Sequence, residues 1–312
     1  TVGGEVAATQ DYPTTRPTLD FNFAAQKKLD TRITYQRTGV ASFTNEFGKV
    51  VIVGDNAPRF DHDPVTRESK GLLIEPSRTN FMKYSDEFAI ASGQTGGNWD
   101  SIGGASDYTR VSDTTETKDP TGITNHASKI TFVSGNATLR GYWYSGAADG
   151  AVSKTFSVYL KKATTDATNV TIDIGDTSST TCVLTDEWKR FSVTTSSAGN
   201  GNFIDFGATH TKAFYAWGAQ IEAGSYATSY IPTSSAAVTR GADFAVLQKE
   251  DFTDAISQTE GTLIAEYDNV TSDGYVLSLD GSGGNKIGMV NNNSYQLMGT
   301  ACLLYTSPSP RD

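Results

Sequence analysis

The chain has 312 residues with a formal net charge of −10, and 37% of its residues are hydrophobic. This length allows two domains, and the hydrophobic fraction is enough to bury a core. Nucleic acids and anionic membranes attract cationic proteins, so the acidic balance argues against both classes of partner. No apolar run approaches the ~20 residues of a membrane-spanning helix.

The N-terminal part is expected to contain short strands. Residues 1–16 are polar and rich in turn formers, which predicts a linker or arm. Residues 17–80 form a predicted small β module, in which Thr18–Phe23 alternates polar and apolar residues like a half-buried strand. The further predicted strands are Ile33–Tyr35, Ala41–Phe43 and Lys49–Val53, with a turn at Asn45–Gly48.

Charged side chains are concentrated in residues 57–80, which read APRFDHDPVTRESKGLLIEPSRTN. Asp61, His62 and Asp63, with Glu68 nearby, are residue types that bind divalent metal ions through oxygen and imidazole ligands. A metal site is therefore one interpretation of this segment.

The favoured interpretation of the same segment is a charged turn whose backbone is restrained by Pro64. In that case the carboxylates accept hydrogen bonds from loop amides or pair with Arg59 and Arg67. Arg59 and Arg78 are expected to pair with the two aspartates or with Glu75 and so to lock a connector. No metal ligand is predicted on this interpretation.

Residues 81–240 show many short strands separated by turns, which predicts an antiparallel sandwich of the jelly-roll type. Within Thr155–Lys161, Phe156, Val158 and Leu160 share one face, while polar residues occupy the other. Similar alternation occurs in Asn169–Ile174, Trp188–Thr194 and Ala213–Trp217.

One strand of this region has an aromatic, hydrogen-bonding face. Within residues 138–144, Leu139 and Trp143 share a face that is predicted to enter the core. The other face is predicted to be an exposed strip that binds glycans, because aromatic rings offer apolar area beside polar groups. The predicted ligand-binding residues are Trp99, Arg140, Tyr142 and Tyr144. The alternative is that the tyrosines pack under a loop or against the next module.

Catalytic motifs are absent from the sequence. Its three histidines, His62, His126 and His210, lie in no nucleophile or metalloprotease motif. Carboxylates are plentiful, and a glycosidase needs two of them at a set separation. The chain is predicted not to be an enzyme, and a polysaccharide depolymerase is the less favoured alternative.

The C-terminal part begins a second predicted β unit. Residues 241–301 contain the predicted strands Gly261–Tyr267 and Gly274–Leu279. Residues 302–312, CLLYTSPSPRD, are similar to one reading-frame translation of a transposase sequencing adapter, so we expect this tail to be an artefact and the native protein to continue. Cys182 is then the one native cysteine, which predicts no disulfide.

Several strings carry a resemblance to a known family. PRFDHDPVT and GLLIEPSRTN, within residues 58–80, resemble a signature of bacteriophage tail and tail-fibre structural proteins. FSVYLKKA, DEWKRFSVT and FYAWGAQIEAGSYATSYIPT are similar to strands of the carbohydrate-binding-like jelly rolls of phage tail proteins. The resemblance covers residues 17–243, and residues 261–279 resemble the opening of a concanavalin-A-like sandwich.

The resemblance implies an all-β protein, in which a small β module precedes a jelly roll and an incomplete concanavalin-A-like sandwich follows it. It implies a virion structural protein of the tail, assembled in the bacterial cytoplasm, with other virion proteins and a host-surface glycan as partners. A purely structural spacer is the alternative. Tail fibres are often trimers, so a homo-oligomer stays open, although no heptad pattern predicts a coiled coil. No cofactor is predicted; a structural calcium stays open, with Glu222 or the carboxylates near Asp61 as ligands.

Overall fold

The structure is a computed structural model, and it describes residues 18–88, 99–102, 108–111, 114–132, 137–142, 153–163, 169–175, 177–196, 203–208, 213–247, 254, 275–280, 286–290 and 295–298. The chain divides into two compact units, of which the larger comprises residues 23–29 and 35–245. The predicted arm of residues 1–16, Tyr144, the predicted strand Gly261–Tyr267 and the tail of residues 302–312 lie outside the described residues.

The described elements are almost all strands, as predicted. The first elements are α1 (Phe23–Gln26), β1 (Ile33–Gln36), β2 (Ala41–Thr44), β3 (Val50–Val53), β4 (Phe60–His62), β5 (Ser69–Leu72) and β6 (Arg78–Asn80). The strands of the sandwich are β7 (Trp99–Ile102), β8 (Tyr108–Val111), β9 (Ser128–Phe132), β10 (Ala137–Tyr142), β11 (Lys154–Lys162), β12 (Asn169–Ile174), β13 (Ser178–Val183), β14 (Lys189–Thr195), β15 (Phe203–Ala208) and β16 (Ala213–Ala223). The last strands are β17 (Val238–Arg240), β18 (Phe244–Leu247), β19 (Tyr275–Asp280), β20 (Lys286–Val290) and β21 (Tyr295–Met298).

The predicted strand at Thr18–Phe23 is wrong, because the structure has no strand there and the helical turn α1 begins at Phe23. Ala24 and Ala25 follow at once, and alanine is the strongest helix former. The polar–apolar alternation upstream is therefore not sufficient to specify a strand. No helix among the described residues has the length and hydrophobicity of a membrane span.

Two five-stranded antiparallel sheets form the body of the larger unit. The front sheet has the strand order β13-β12-β15-β10-β7, and the back sheet has the order β14-β11-β16-β9-β8. Consecutive strands repeatedly change sheet, from β10 to β11 and again from β13 to β14, β15 and β16. Such crossing between two antiparallel sheets is typical of a jelly roll, so the predicted all-β sandwich is confirmed.

The core lies between the inner faces of these sheets. The Phe206 ring of the front sheet lies 6.0 Å from the Phe156 ring and 5.7 Å from the Phe214 ring of the back sheet, centroid to centroid. Phe156, Val158 and Leu160 are all fully buried in β11, which confirms the predicted alternation of that strand. Aromatic and aliphatic burial of this extent is the main force that holds two sheets face to face.

Two hairpins and a return segment complete the larger unit. The N-terminal hairpins are β2–β3 and β4–β5, each antiparallel. The closing segment, residues 224–243, follows β16 and includes β17, which pairs with β6. We refer to the N-terminal hairpins and the closing segment together as the cover. The predicted domain boundaries at residues 80 and 240 stay predictions.

The smaller unit contains a three-stranded antiparallel sheet, in the order β19-β20-β21. β19 confirms the predicted strand at Gly274–Leu279 to within a residue at each end. The likeness to a concanavalin-A-like sandwich stays a prediction.

Candidate functional site

The front sheet has a polar face on the side away from the core. Ile172 in β12 and Phe206 in β15 are fully buried in the core. Because successive residues of a strand point to opposite sides, their neighbours Asp173 and Asp205 lie on the outward side. We call this outward side of the front sheet the front face.

The strand register arranges the front face in rows. The first row contains Asp173, Asp205, Arg140 and Asp100, each directly opposite the next on the neighbouring strand. The second row contains Thr171, Gly207, Thr138 and Ile102 in the same manner. Directly opposite residues of an antiparallel pair share a face. The register therefore collects carboxylates and hydroxyls from strands that are distant in sequence.

Three of the four residues predicted to bind ligand lie in the front sheet. Arg140 and Tyr142 are in β10, where Tyr142 is opposite Phe203. Trp99 is in β7 opposite Gly141. Because Gly141 follows Arg140 in β10, the register places Trp99 on the side of the sheet opposite to that of Arg140. Tyr144 lies outside the described residues. The assignment of Trp99, Arg140, Tyr142 and Tyr144 to ligand binding stays a prediction.

Gly207 leaves open space near the centre of the front face. A Cβ atom built on Gly207 has no described heavy atom within 4 Å. The residue lies in a regularly paired strand, between Thr138 of β10 and Thr171 of β12, and its φ does not lie in the left-handed region. The backbone therefore does not require glycine, and a glycine inside a strand often marks the close approach of a ligand or another chain.

The burial of the front-face acids differs between neighbours. Asp205 is 7% exposed, whereas Asp173 is partly exposed. On the next strand, Ser179 and Thr181 are exposed. Carboxylates and hydroxyls thus lie at different depths along this face.

The outward side of the back sheet is covered by the protein itself. Trp217 of β16 is 3% exposed and packs with Val50 of β3 and with Tyr230 of the closing segment. The Trp217 and Tyr230 ring centroids are 4.6 Å apart, and Tyr159 of β11 lies 5.6 Å from Trp217. Ser42 of β2 donates a hydrogen bond to the Tyr230 carbonyl at 2.7 Å. This face is therefore packed as a second core.

Polar contacts reinforce the same cover. Gln220 accepts a hydrogen bond from the Ile231 amide at 2.7 Å, and Arg190 donates to the Thr228 carbonyl at 2.6 Å. Glu222 is fully buried and accepts bonds from the amide and the hydroxyl of Thr228 at 2.8 and 2.7 Å. Glu222 is thus bound to protein donors, and its role as a calcium ligand stays an open expectation.

A cluster of buried ions holds the two parts of the cover together. The ion cluster consists of Arg37, Arg59, Glu75, Arg240 and Asp243. Glu75 Oε2 lies 2.7 Å from both Arg59 Nη1 and Arg240 Nη1, and Asp243 also pairs with Arg59. Burial raises the pKa of Glu75, but Arg240 and Arg59 outweigh that effect and hold the pKa below its usual value.

The segment around Asp61 forms a charged turn. Asp61 Oδ1 accepts a hydrogen bond from the Thr44 amide at 2.7 Å, and burial raises the pKa of Asp61. Asp63 Oδ1 accepts bonds from the Val65 and Thr66 amides, both at 2.8 Å. The expectation that these carboxylates bind loop amides is confirmed.

His62 is oriented by backbone carbonyls. It is buried, and its Nδ1 lies 3.2 Å from the Thr44 carbonyl oxygen and 3.1 Å from the Phe60 carbonyl oxygen. Carbonyls only accept hydrogen bonds, so Nδ1 carries the proton. Among the residues that the structure describes, no group of three or more His, Cys, Asp or Glu could hold a metal ion.

The two predicted arginine pairs have different outcomes. Arg59 pairs with Glu75, as expected. Arg78 lies instead 3.8 Å from Glu222, and its guanidinium stacks on the Tyr226 ring at 5.2 Å. β6 pairs with β17, so Arg78 is directed toward the closing segment rather than back into its own turn. Glu222 and Tyr226 are far from Arg78 in the sequence, so proximity along the chain did not predict them.

Sequence reasoning missed Asp173, Asp205 and Gly207. The signal that could have identified them is the alternation itself: NVTIDI has a polar residue at every second position, and in FIDFGA Asp205 and Gly207 alternate with the apolar Ile204 and Phe206. The alternation indicates an outward face, but it does not say which strands lie side by side.

No protein-family model matches the chain. A search of curated proteins likewise finds no match. Among solved structures, the chain is similar to the CBM22-1–GH10 modules of endo-1,4-beta-D-xylanase 10B from Clostridium thermocellum, complexed with xylohexaose, at 13% identity and a TM-score of 0.34 over 51% of this chain and 30% of that one. It is also similar to a CBM4 structure, at 14% identity and a TM-score of 0.29 over 45% of this chain and 98% of that one.

A third similar structure is a mutant of CBM29-2, a family 29 carbohydrate binding module. The identity is 12% and the TM-score 0.25, over 48% of this chain and 92% of that one. At these TM-scores the likeness does not indicate a function for this chain.

Proposed function

We propose that this chain is a non-catalytic glycan-binding protein whose ligand lies on the front face. The observation that carries the proposal is the open space at Gly207, in the middle of a polar sheet face. A sugar ring can approach the backbone there and hydrogen-bond to Thr171, which is directly opposite the glycine on β12, and to Asp173, two residues further along that strand.

The contrast with the back sheet supports this choice of face. Its outward side is occupied by the cover, with Trp217 and Tyr230 buried in contact. Aromatic rings that could stack on sugars are therefore used for packing on that side. On the front sheet, Arg140 and Tyr142, with Tyr144, are the proposed contacts, and Tyr142 shares the face of Arg140 by strand alternation.

The first test fills the open space. Gly207→Val adds a side chain that meets no described atom within 4 Å, so we expect folding to be retained while binding on a glycan array is lost. Valine also favours strands. Ser192→Val is the matched control, because Ser192 is exposed in β14 of the other sheet. Array binding by Gly207→Val equal to that of Ser192→Val would contradict the proposed face.

The second test removes the proposed aromatic contacts. The double variant Tyr142→Ala and Tyr144→Ala should abolish array binding with an unchanged unfolding midpoint, because a stacked ring contributes about 1 kcal/mol or more beyond its buried area. Tyr226→Ala is the control, since Tyr226 lies in the closing segment. Loss of binding in both variants would mean that the assay reports stability.

We also propose that the protein belongs to the tail of a phage virion, where it contacts other tail proteins and a host-surface glycan. The support is the resemblance of residues 58–80 and of FYAWGAQIEAGSYATSYIPT, within residues 213–232, to tail proteins. The test is the gene neighbourhood of a longer copy, which should contain tail genes on both sides. A neighbourhood of polysaccharide-degrading enzymes without virion genes would overturn this part of the proposal.

The alternatives have distinct outcomes in the same experiments. A structural spacer would bind no glycan on the array while retaining its fold and its association with virions. A depolymerase would release reducing sugar from capsule or lipopolysaccharide, and that release would contradict the non-catalytic assignment.

A further inference from the structure

We infer that the outer edge of β13 pairs antiparallel with the β13 of a second copy of this chain, so that two front sheets join into one ten-stranded sheet. The inference goes beyond the proposed function, because it concerns an edge of the front sheet and a protein partner. It is carried by the position, the exposure and the composition of β13.

β13 is an edge strand over its whole length. It ends the strand order of the front sheet, and β12 is the one strand that pairs with it among the residues that the structure describes. The pairing runs without interruption from Ser178 opposite Ile174 to Val183 opposite Asn169. The strand thus has one edge that no described strand occupies, and an edge strand presents backbone N–H and C=O groups to a further strand.

The side chains of β13 are exposed as well. Val183 is 63% exposed, and Ser179, Thr180 and Thr181 are also exposed. Thr180 is opposite the fully buried Ile172, so it lies on the core side of the sheet, whereas Thr181 lies on the outward side. The chain therefore leaves both sides of this edge strand uncovered near its middle.

Composition distinguishes β13 from the other three edges of the sandwich. Its sequence, SSTTCV, contains no charged residue and no proline. The other edge strands each contain charged residues, namely Asp100 in β7, Arg110 in β8, and Lys189 and Arg190 in β14. Proteins protect an edge against pairing with a charge, a proline or a bulge, and β13 has none of the three.

A second copy of this chain is the partner that fits this edge. The formal net charge of −10 makes two copies repel each other, so association is favoured where the contact brings no like charges together. Self-pairing of β13 meets this condition, because every residue of the strand is uncharged and opposed hydroxyl residues stabilise antiparallel strands. A charged strand of another protein would find no opposite charge on β13.

Symmetry restricts the register of this pairing. Opposite residues of an antiparallel pair lie on the same side of the sheet, and successive residues alternate between sides. A two-fold pairing of β13 with itself therefore places one residue opposite its own copy. Thr180 or Thr181, the central residues of the strand, takes that position. The two-fold axis is perpendicular to the sheet, so the front faces of both copies lie on the same side.

The experiment measures the oligomeric state of the full chain by sedimentation equilibrium. A concentration series of the wild type should show a reversible equilibrium between monomer and dimer, since pairing along one strand buries less surface than a standard-size interface. A wild type that stays monomeric up to about 1 mM would overturn the inference. A trimer would also overturn it, because each β13 edge pairs with one copy.

Charge substitutions test whether β13 is the contact. Thr181→Lys places two ammonium groups opposite or diagonal to each other, so we expect the dissociation constant of the dimer to rise by about tenfold or more at low salt. The increase should shrink as salt screens the charges. Thr181→Val keeps the strand uncharged, and Ser192→Lys adds the same charge to an exposed position of β14. Both controls should leave the dissociation constant unchanged.

A mixing experiment separates loss of the contact from loss of the fold. Thr181→Glu alone should weaken the dimer as Thr181→Lys does, whereas an equimolar mixture of the two variants should associate, because opposite charges then face each other across the axis. A mixture that stays monomeric would overturn the inference. Dimers of equal strength in the wild type and in Thr181→Lys would overturn it as well.

Discussion

The two sheets of the sandwich both bury aromatic residues on their inner faces, but their outer faces differ in how far the protein covers them. Phe206 of the front sheet and Phe156 of the back sheet are both fully buried in one core. On the outer side, the back sheet buries Trp217 under the cover, whereas the front sheet has Gly207 with no described atom within 4 Å of its Cβ position. The sandwich is therefore stabilised by contacts on the outer face of the back sheet, whereas the outer face of the front sheet has open space at Gly207.

The two outer faces also differ in the exposure of their acidic side chains. On the covered side, Glu75 and Glu222 are held by arginines and by amides of the closing segment, since a buried charge without partners is costly. On the front face, Asp173 remains partly exposed to solvent. Polar residues on the outer side of the back sheet thus bind other parts of the protein.

The largest expected effect comes from breaking the ion cluster that holds the cover. Glu75→Gln removes the partner that Arg59 and Arg240 share, each at 2.7 Å, and leaves two buried guanidinium groups with less compensation. We expect the free energy of unfolding in urea to fall by about 3–5 kcal/mol. Asp186→Asn removes the exposed ion pair of Asp186 with Lys162 and should change the free energy of unfolding by less than about 0.5 kcal/mol. Similar values for the two variants would mean that the ion cluster does not hold the cover.

Two glycine substitutions compare the stability of the covered side of the back sheet with that of the front face. Gly39 has a φ of +85°, and a Cβ there would lie 2.5 Å from the Thr239 carbonyl oxygen of the closing segment. Gly39→Ala should therefore destabilise the protein by more than about 1 kcal/mol. Gly207→Ala should stabilise it by about 0.5–1 kcal/mol, because alanine loses less backbone entropy in a strand.

Thermal unfolding of both alanine variants checks this contrast. The order of the melting temperatures should be Gly207→Ala, wild type, Gly39→Ala. A destabilised Gly207→Ala would show that the space above β15 is filled, and the front face would then resemble the back.

The smallest expected effect is a loss of stability in acid. The folded-state pKa of Glu75 lies below its ordinary value of 4.5, so its contribution is present above that pH and is lost as the pH falls through the lower folded value. Asp61 has the opposite effect on stability. Its pKa is raised in the folded state, so protonation of Asp61 favours the folded state as the pH falls. Urea unfolding at pH 7 and pH 3 should therefore show a smaller acid loss for Glu75→Gln than for the wild type. An equal loss in both proteins would assign the acid sensitivity to other carboxylates.

Much of the sandwich could be predicted, because its strands carry their pattern locally. The alternation in β11 and β12 indicated both their bounds and their buried residues, as Phe156 and Ile172 show. The candidate site could be predicted only in part: β10 was recognised by its aromatic residues, whereas the acids beside it were missed. Asp205 and Arg140 are opposite in register although 65 residues separate them in the sequence. No local pattern reports such a neighbour.

The sequence by itself determined that this chain is an all-β protein with a jelly-roll sandwich, because a period of two residues specifies which side of a strand is apolar. Only the tertiary structure decided that the outer face of the back sheet is the covered one. That choice depends on contacts such as Arg59 with Asp243, which are 184 residues apart, and Glu75 with Arg240, which are 165 apart. Long-range pairing brings such groups together through the whole fold, so the identity of the covered face follows from the fold rather than from any single segment.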